Sequence, residues 1–173
     1  MKCCLRQVEY HGVAPNTFAG LMELYESNYI RLRNLVPELD AMPAVAVSQV
    51  PGALDLHLSV IERCRYTTTL GLTYRFQDET GEFPAPDIRV RIYHDAQLGE
   101  VITCGRRRGL HYAEYNCLHH TCSLTEKWRM NRFLQKWLGY CLRQGHRFAP
   151  ERQSQPCPET PGFVEDSLLI AES

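Results

Sequence analysis

The period at which apolar residues recur changes twice along this chain of 173 residues, and that change restricts the fold more than any single motif does. Over residues 17–36, Phe18, Leu21, Leu24, Tyr25, Leu32 and Leu35 recur at helical spacing until Pro37 stops the run. Over residues 45–104 the period falls to two, the signature of strands with one buried face. Leu54, Leu56, Leu58 and Val60 alternate with Asp55, His57 and Ser59. Tyr66, Thr68, Leu70, Leu72, Tyr74 and Phe76 form a second inward set, and Ile88, Val90 and Ile92 a third. Short links at 63–65 and 95–99, and a longer Gly/Pro-containing loop at 77–87, make antiparallel neighbours of these strands. A strand near 100–104 is expected to pair with the one ending at His94.

Helical spacing returns over residues 124–144, where Met130, Phe133, Leu134, Trp137, Leu138, Cys141 and Leu142 mark one face. Ser123 and Glu126 have capping-box spacing before it, and Gly145 suits the stop behind it. Trp137 on this stripe is expected to be core. Asn28 falls on the apolar stripe of the first helix, so its amide needs buried partners. The pattern predicts an α+β fold: an antiparallel β-meander sheet of about four to six strands, with an N-terminal and a C-terminal helix packed on one face. Residues 1–15 are read as an extension, 16–149 as a single α+β domain, and 150–173 as a Pro-rich tail containing Pro150, Pro156, Pro158 and Pro161. The end of that tail, 163–170, is expected to dock on the sheet edge.

The formal charge of -1 and the pI of about 6.6 exclude the global positive field of an obligate nucleic-acid binder. Lysine occurs only at Lys2, Lys127 and Lys136, so arginine carries nearly all the positive charge; its planar fork suits ion pairs, stacking and anion binding. No run approaches the roughly 18 apolar residues of a membrane span, and the start does not read as a signal peptide, so a cytoplasmic, non-membrane protein is expected. In that compartment most of Cys3, Cys4, Cys64, Cys104, Cys117, Cys122, Cys141 and Cys157 are expected to be reduced thiols acting as small hydrophobes.

Three constellations bear on chemistry. Tyr93-His94-Asp95 places a proton carrier beside a carboxylate, yet successive strand side chains point to opposite faces, which sends His94 to the Ile92 side and Tyr93 to the other. Asp95 is expected to bond backbone amides of the following turn. The outward face of the sheet would show His57, Thr67, Thr69, Thr73, Arg75, Arg89, Arg91 and Tyr93, with Asp55, Asp87 and Glu100 near enough in sequence to pair with the arginines. Cys117, His119, His120 and Cys122 have no recognised zinc spacing and a structural site needs four ligands, so no metal and no cofactor are expected. Arg106-Arg107-Arg108, between Gly105 and Gly109, has the form of an exposed or anion-binding turn. HExxH, GxSxG, P-loop and GxGxxG patterns do not occur.

The run Leu24-Tyr25-Glu26-Ser27-Asn28-Tyr29-Ile30-Arg31-Leu32, then Glu62-Arg63-Cys64-Arg65-Tyr66-Thr67-Thr68, then Val90-Arg91-Ile92-Tyr93-His94-Asp95-Ala96 resembles the YqiB-like family of uncharacterised bacterial proteins. Glu126-Lys127, Asn131-Arg132-Phe133-Leu134 and Trp137-Leu138 continue the resemblance, while 109–120 departs from the family pattern. The resemblance implies a small cytoplasmic proteobacterial domain and carries no established activity.

The candidate binding residues are Asn28, Arg65, Tyr66, Arg89, Arg91, Tyr93, His94 and Asp95. The leading expectation is a non-enzymatic binding or adaptor protein whose Arg/Tyr-bearing sheet face meets an acidic protein surface or an anionic ligand. The alternatives are an enzyme acting on a small phosphorylated molecule through His94, Asp95 and Asn28, and a weak RNA or single-stranded nucleic-acid binder.

Overall fold

Thr17 opens the first helix by accepting a hydrogen bond from Gly20 N at 3.1 Å, and α1 then runs over Phe18–Leu35. The architecture comes from a computed structural model that describes residues 15–79, 81–108, 111–116 and 122–149, with the backbone alone at 106–108 and 111–115. A single 3-10 turn, Leu39–Ala41, leads into β1 (Val45–Ser48), β2 (Leu56–Arg63) and β3 (Thr67–Asp78). β4 (Gly81–Pro84), β5 (Asp87–Tyr93), β6 (Leu98–Arg108), β7 (His111–Asn116) and α2 (Leu124–Gln144) follow. The main path of the sheet is β1-β2-β3-β5-β6-β7, every pair antiparallel, and β4 adds a seventh strand against β3. This is the expected α+β meander.

Both helices lie on one face. Leu32 and Leu35 of α1 and Leu134, Trp137, Leu138 and Cys141 of α2 share a core with Leu56, Leu58, Leu70, Leu72, Ile88, Val90, Ile92 and Val101 of the sheet. Full burial of each large aliphatic side chain contributes about 1.5–3 kcal/mol. Trp137 is core, in edge-to-face contact with Tyr74 at 5.6 Å between ring centroids. The capping box closes in both directions, with Ser123 Oγ accepting from Glu126 N and Glu126 Oε2 accepting from Ser123 N, and Gly145 ends α2 at φ 93.

Several local expectations need correction. Leu54 and Tyr66 are half exposed rather than inward, because Leu54 precedes β2 and Tyr66 sits in the turn before β3, where strand alternation does not operate. The 77–87 loop contains β4, which pairs Phe83 with Phe76 across the hairpin. Arg106, Arg107 and Arg108 form no turn: they continue β6 and pair with Ala113, Tyr112 and His111 of β7. Cys64, Cys104 and Cys141 are in no disulfide, whereas Cys122 is disulfide-bonded and its partner lies outside the described residues. Residues 1–14 of the extension, the Cys117, His119 and His120 considered for zinc, and the 150–173 tail also lie outside them. Among the described residues no helix is long and apolar enough to cross a membrane.

The helix layer meets the sheet most closely at Gly99 of β6. A Cβ there would come within 3.0 Å of Leu32 Cδ1 and 3.2 Å of Tyr29 N, so a helix backbone occupies the space a side chain would need. Two buried amides bracket this point. Asn28 Nδ2 donates to Asn131 O at 3.2 Å and to Asn131 Oδ1 at 3.4 Å. Asn131 Oδ1 accepts from Val101 N at 3.0 Å, while its Nδ2 donates to Lys127 O at 2.9 Å. The amide expected of the Asn28 stripe position thus finds its partner on the other helix.

At the far edge, Ser48 Oγ of β1 lies 3.2 Å from His146 Nδ1 and accepts from Arg147 N, which ties the segment after α2 to the sheet. Burial pushes the His146 imidazolium below its ordinary value of 6.5, against smaller opposing effects of Ser48 and Asp55.

Two outcomes test this packing. Gly99→Ala should lower the free energy of unfolding in urea by about 1–3 kcal/mol through overpacking against α1, with an unchanged m-value. Because the folded pKa of His146 is depressed, its contribution to stability is complete above 6.5 and is lost as pH falls through that value and below. A stability profile from pH 8 to 5 should therefore slope downward with acid, and His146→Gln should flatten it.

Candidate functional site

The strand register brings polar side chains into rows on the face opposite the helices. One row runs Glu62–Thr69–Arg91–Glu100 across β2, β3, β5 and β6. The next runs Ser59–Gly71–Arg89–Thr103. Two bulges make these rows possible. Register shifts leave Ile61 unpaired between Val60 and Glu62, and Ile102 unpaired opposite the Arg89–Val90 step. Without the first, alternation would turn Glu62 toward the helices; without the second, Thr103 would turn inward.

Arg91 is held within its row. Its Nη2 lies 3.9 Å from Glu62 Oε2, its Nε donates to Thr69 Oγ1 at 3.5 Å, and Thr69 Oγ1 donates to Glu62 Oε2 at 3.5 Å. An ion pair this long and exposed contributes little to stability; its effect is to orient the guanidinium. Arg89 differs: it is exposed, stands between Gly71 and Thr103 in the register, and has no ion pair among the described residues. Arg75 pairs instead with Glu82 of β4 at 3.3 Å, and Asp55 accepts from Gln49. Among the described residues Arg91 and Arg75 therefore pair with Glu62 and Glu82, not with the Asp55, Asp87 and Glu100 that chain proximity favoured.

Glu100 serves another purpose. Its Oε1 accepts from Tyr25 Oη of α1 and from Lys127 Nζ of α2, each at 2.9 Å, and its Oε2 accepts from Tyr93 Oη of β5 at 3.3 Å. With a side chain only 13% exposed, this carboxylate is the point where both helices and two strands meet in polar contact. Burial, followed by the charge of Glu100 and its hydrogen bond, raises the Tyr93 phenol above 10.0, while Arg91 opposes the shift. Sequence reasoning missed Tyr25, Tyr93 and Lys127 as partners of Glu100 because no periodicity links the elements that carry them.

The remaining candidates separate. His94 is half-buried, its Nε2 2.8 Å from Thr68 Oγ1, and its backbone N–H donates to Tyr66 O at 2.9 Å. Thr68 is the cross-strand partner of Ile92, on the side that alternation predicts for His94. Asp95 is exposed in the turn, and the amide bonds expected of it are absent among the described residues. Asn28 is fully buried against Asn131, with its Oδ1 unpartnered. No hydrogen bond joins Asn28, His94 and Asp95 among the described residues. Arg65 and Tyr66 stack on each other at the β2–β3 hairpin, the guanidinium carbon 5.0 Å from the ring centroid. Among the described residues no three His, Cys, Asp or Glu side chains cluster as a metal site.

The Glu100 contacts make a titration test. A raised folded pKa for Tyr93 means that its contribution to stability is complete below 10.0 and is lost as pH rises through the folded value. With tyrosine rings labelled for NMR, Tyr93 should ionise above the ordinary phenol range, and Glu100→Gln should move it back toward that range. The same substitution should cost about 1–3 kcal/mol, because it removes charge-assisted hydrogen bonds from a largely buried acceptor.

Comparison with known proteins agrees with the blocks of sequence that converge here. The sequence model of a family described as "Protein of unknown function (DUF1249)" matches residues 31–147. "Uncharacterized protein YqiB" of Escherichia coli strain K12 is 33% identical over 138 residues, covering 77% of this chain and 94% of the relative. The proteins of the same description in the O6:H1 and O157:H7 strains match to the same extent. No solved structure matches. The four blocks that supply Tyr25, Asn28, Arg91, Tyr93, Lys127 and Asn131, together with these matches, place the chain in the DUF1249, YqiB-like family of bacterial proteins.

Proposed function

We propose that the chain is a non-enzymatic binding module that docks an acidic protein segment on the outer sheet face, through Arg89, Arg91 and Tyr93. The observation that carries this reading is Arg89: exposed, without an acidic partner among the described residues, and rising from a floor of Gly71 and Thr103. Arg91 stands two residues along the same strand, already oriented by Glu62 and Thr69. Two neighbouring guanidinium groups above short side chains can fork onto the carboxylates of an extended segment, and Tyr93 adds an aromatic edge beside them. Both helices belong to the core on the opposite face; on this face Arg89 is exposed and Arg91 and Tyr93 are half-buried. The separation of Asn28, His94 and Asp95 counts against the phosphorylated-substrate enzyme, since general acid–base work needs such groups within hydrogen-bond reach of one another or of a shared substrate.

Affinity purification from the native cell, comparing wild type with Arg89→Ala/Arg91→Ala, tests the reading. The wild type should retain a partner that the double variant loses, while the variant's unfolding midpoint changes little, since exposed substitutions typically alter stability by within about 0.5 kcal/mol. An unchanged set of partners refutes the proposal. Retention of nucleic acid in place of protein, with affinity falling steeply as salt rises, would replace it with the RNA reading.

A further inference from the structure

A second cationic feature lies between the two helices, apart from the sheet face and independent of the reading given to it. Arg31 of α1 and Gln135, Lys136, Gly139 and Arg143 of α2 line a solvent-open groove of about 390 Å³, within the size range of small-molecule sites. Its floor is the unexpected part. Gly139 sits five residues from the end of a helix that is otherwise rich in good helix formers, where glycine is costly relative to alanine. No positive φ calls for it, and no backbone presses on it: the nearest atoms to a Cβ there are Arg143 Nη1 at 3.4 Å and Arg31 Nε at 4.0 Å, both ends of flexible side chains. The glycine therefore leaves the floor of the groove without a side chain, with Arg31 and Arg143 on either side of it.

Among the described residues no carboxylate lines the groove. Arg143 and Lys136 form no ion pair among the described residues. Arg31 is set in place through its Nη1, which donates to Ser27 O at 3.0 Å and to Ser27 Oγ, while Gln135 Nε2 donates to the same hydroxyl at 3.0 Å. The guanidinium is thus oriented before any ligand arrives, with its Nε edge toward Gly139. Two arginines and a lysine around a small concave floor match the charge and the tetrahedral acceptor array of a phosphate group.

We propose that this groove binds a phosphate-bearing small molecule, its phosphate held by Arg31, Lys136 and Arg143 over Gly139. NMR titration of the full chain with inorganic phosphate, inorganic pyrophosphate and ribose 5-phosphate tests it. Saturable shifts should centre on Arg31 and residues 135–143, and affinity should fall at least tenfold in Lys136→Ala/Arg143→Ala. Gly139→Leu should melt no lower than wild type yet lose binding, an outcome that a purely structural glycine would not produce. The tighter arm, organic or inorganic, identifies the source of the phosphate group. Absence of saturable binding by all three probes, shifts centred instead on Arg89 and Arg91, or an affinity within twofold of wild type in the double variant would each overturn the assignment.

Discussion

Where α1 crosses β6 the helix backbone rests on Gly99 with no side chain between them, and this close approach is where the helix layer meets the sheet. The two flanking asparagines turn the contact into a defined registration. Asn131 gives its acceptor to a strand amide and its donor to a carbonyl of its own helix, so α2 cannot slide along the sheet without orphaning Val101 N. Asn28 then binds α1 to α2 at the same level. Aliphatic packing alone would hold the helices on the sheet but would tolerate small shifts in register; buried amides with few alternative partners do not.

That registration delivers Tyr25 and Lys127 to Glu100. The carboxylate belongs to a row of outward residues, yet it bonds side chains from the helix layer, which makes it the connection between the two layers. Through Tyr93 the connection continues onto the outer face, next to Arg91. The arrangement of the arginine-bearing face is therefore coupled to the helix packing by a short chain of hydrogen bonds rather than by the core.

Much of the architecture was legible from residues because it depends on local rules. Thr17, the Ser123–Glu126 box and Gly145 mark helix ends through bonds made within a few residues, and the inward sets of β3 and β5 follow from the pleat. The failures have equally physical causes. Tyr66 and Leu54 were extrapolated one position or more past the strands that carry the alternation. Arg106, Arg107 and Arg108 look like a loop because consecutive charges carry no apolar alternation, but pairing with β7 satisfies their backbone and continues the strand. Of the candidate site, Arg89, Arg91 and Tyr93 were placed on the correct face, whereas the acids that attend them were misassigned, since distance along the chain says little about distance across a sheet.

By itself the sequence determined the element types, their order, the burial of the Leu, Ile and Val stripes and the need of Asn28 for a partner, because periodicity and desolvation act on each segment without reference to the others. Only the tertiary structure decided that Glu62 and Thr103 face outward, that Arg89 stands without a counter-charge among the described residues, that Glu100 gathers Tyr25, Tyr93 and Lys127, and that Arg31 and Arg143 lie on either side of Gly139. Each of these depends on a bulge, a register or a helix crossing, and such features arise from contacts between residues far apart in the chain, which no local pattern encodes.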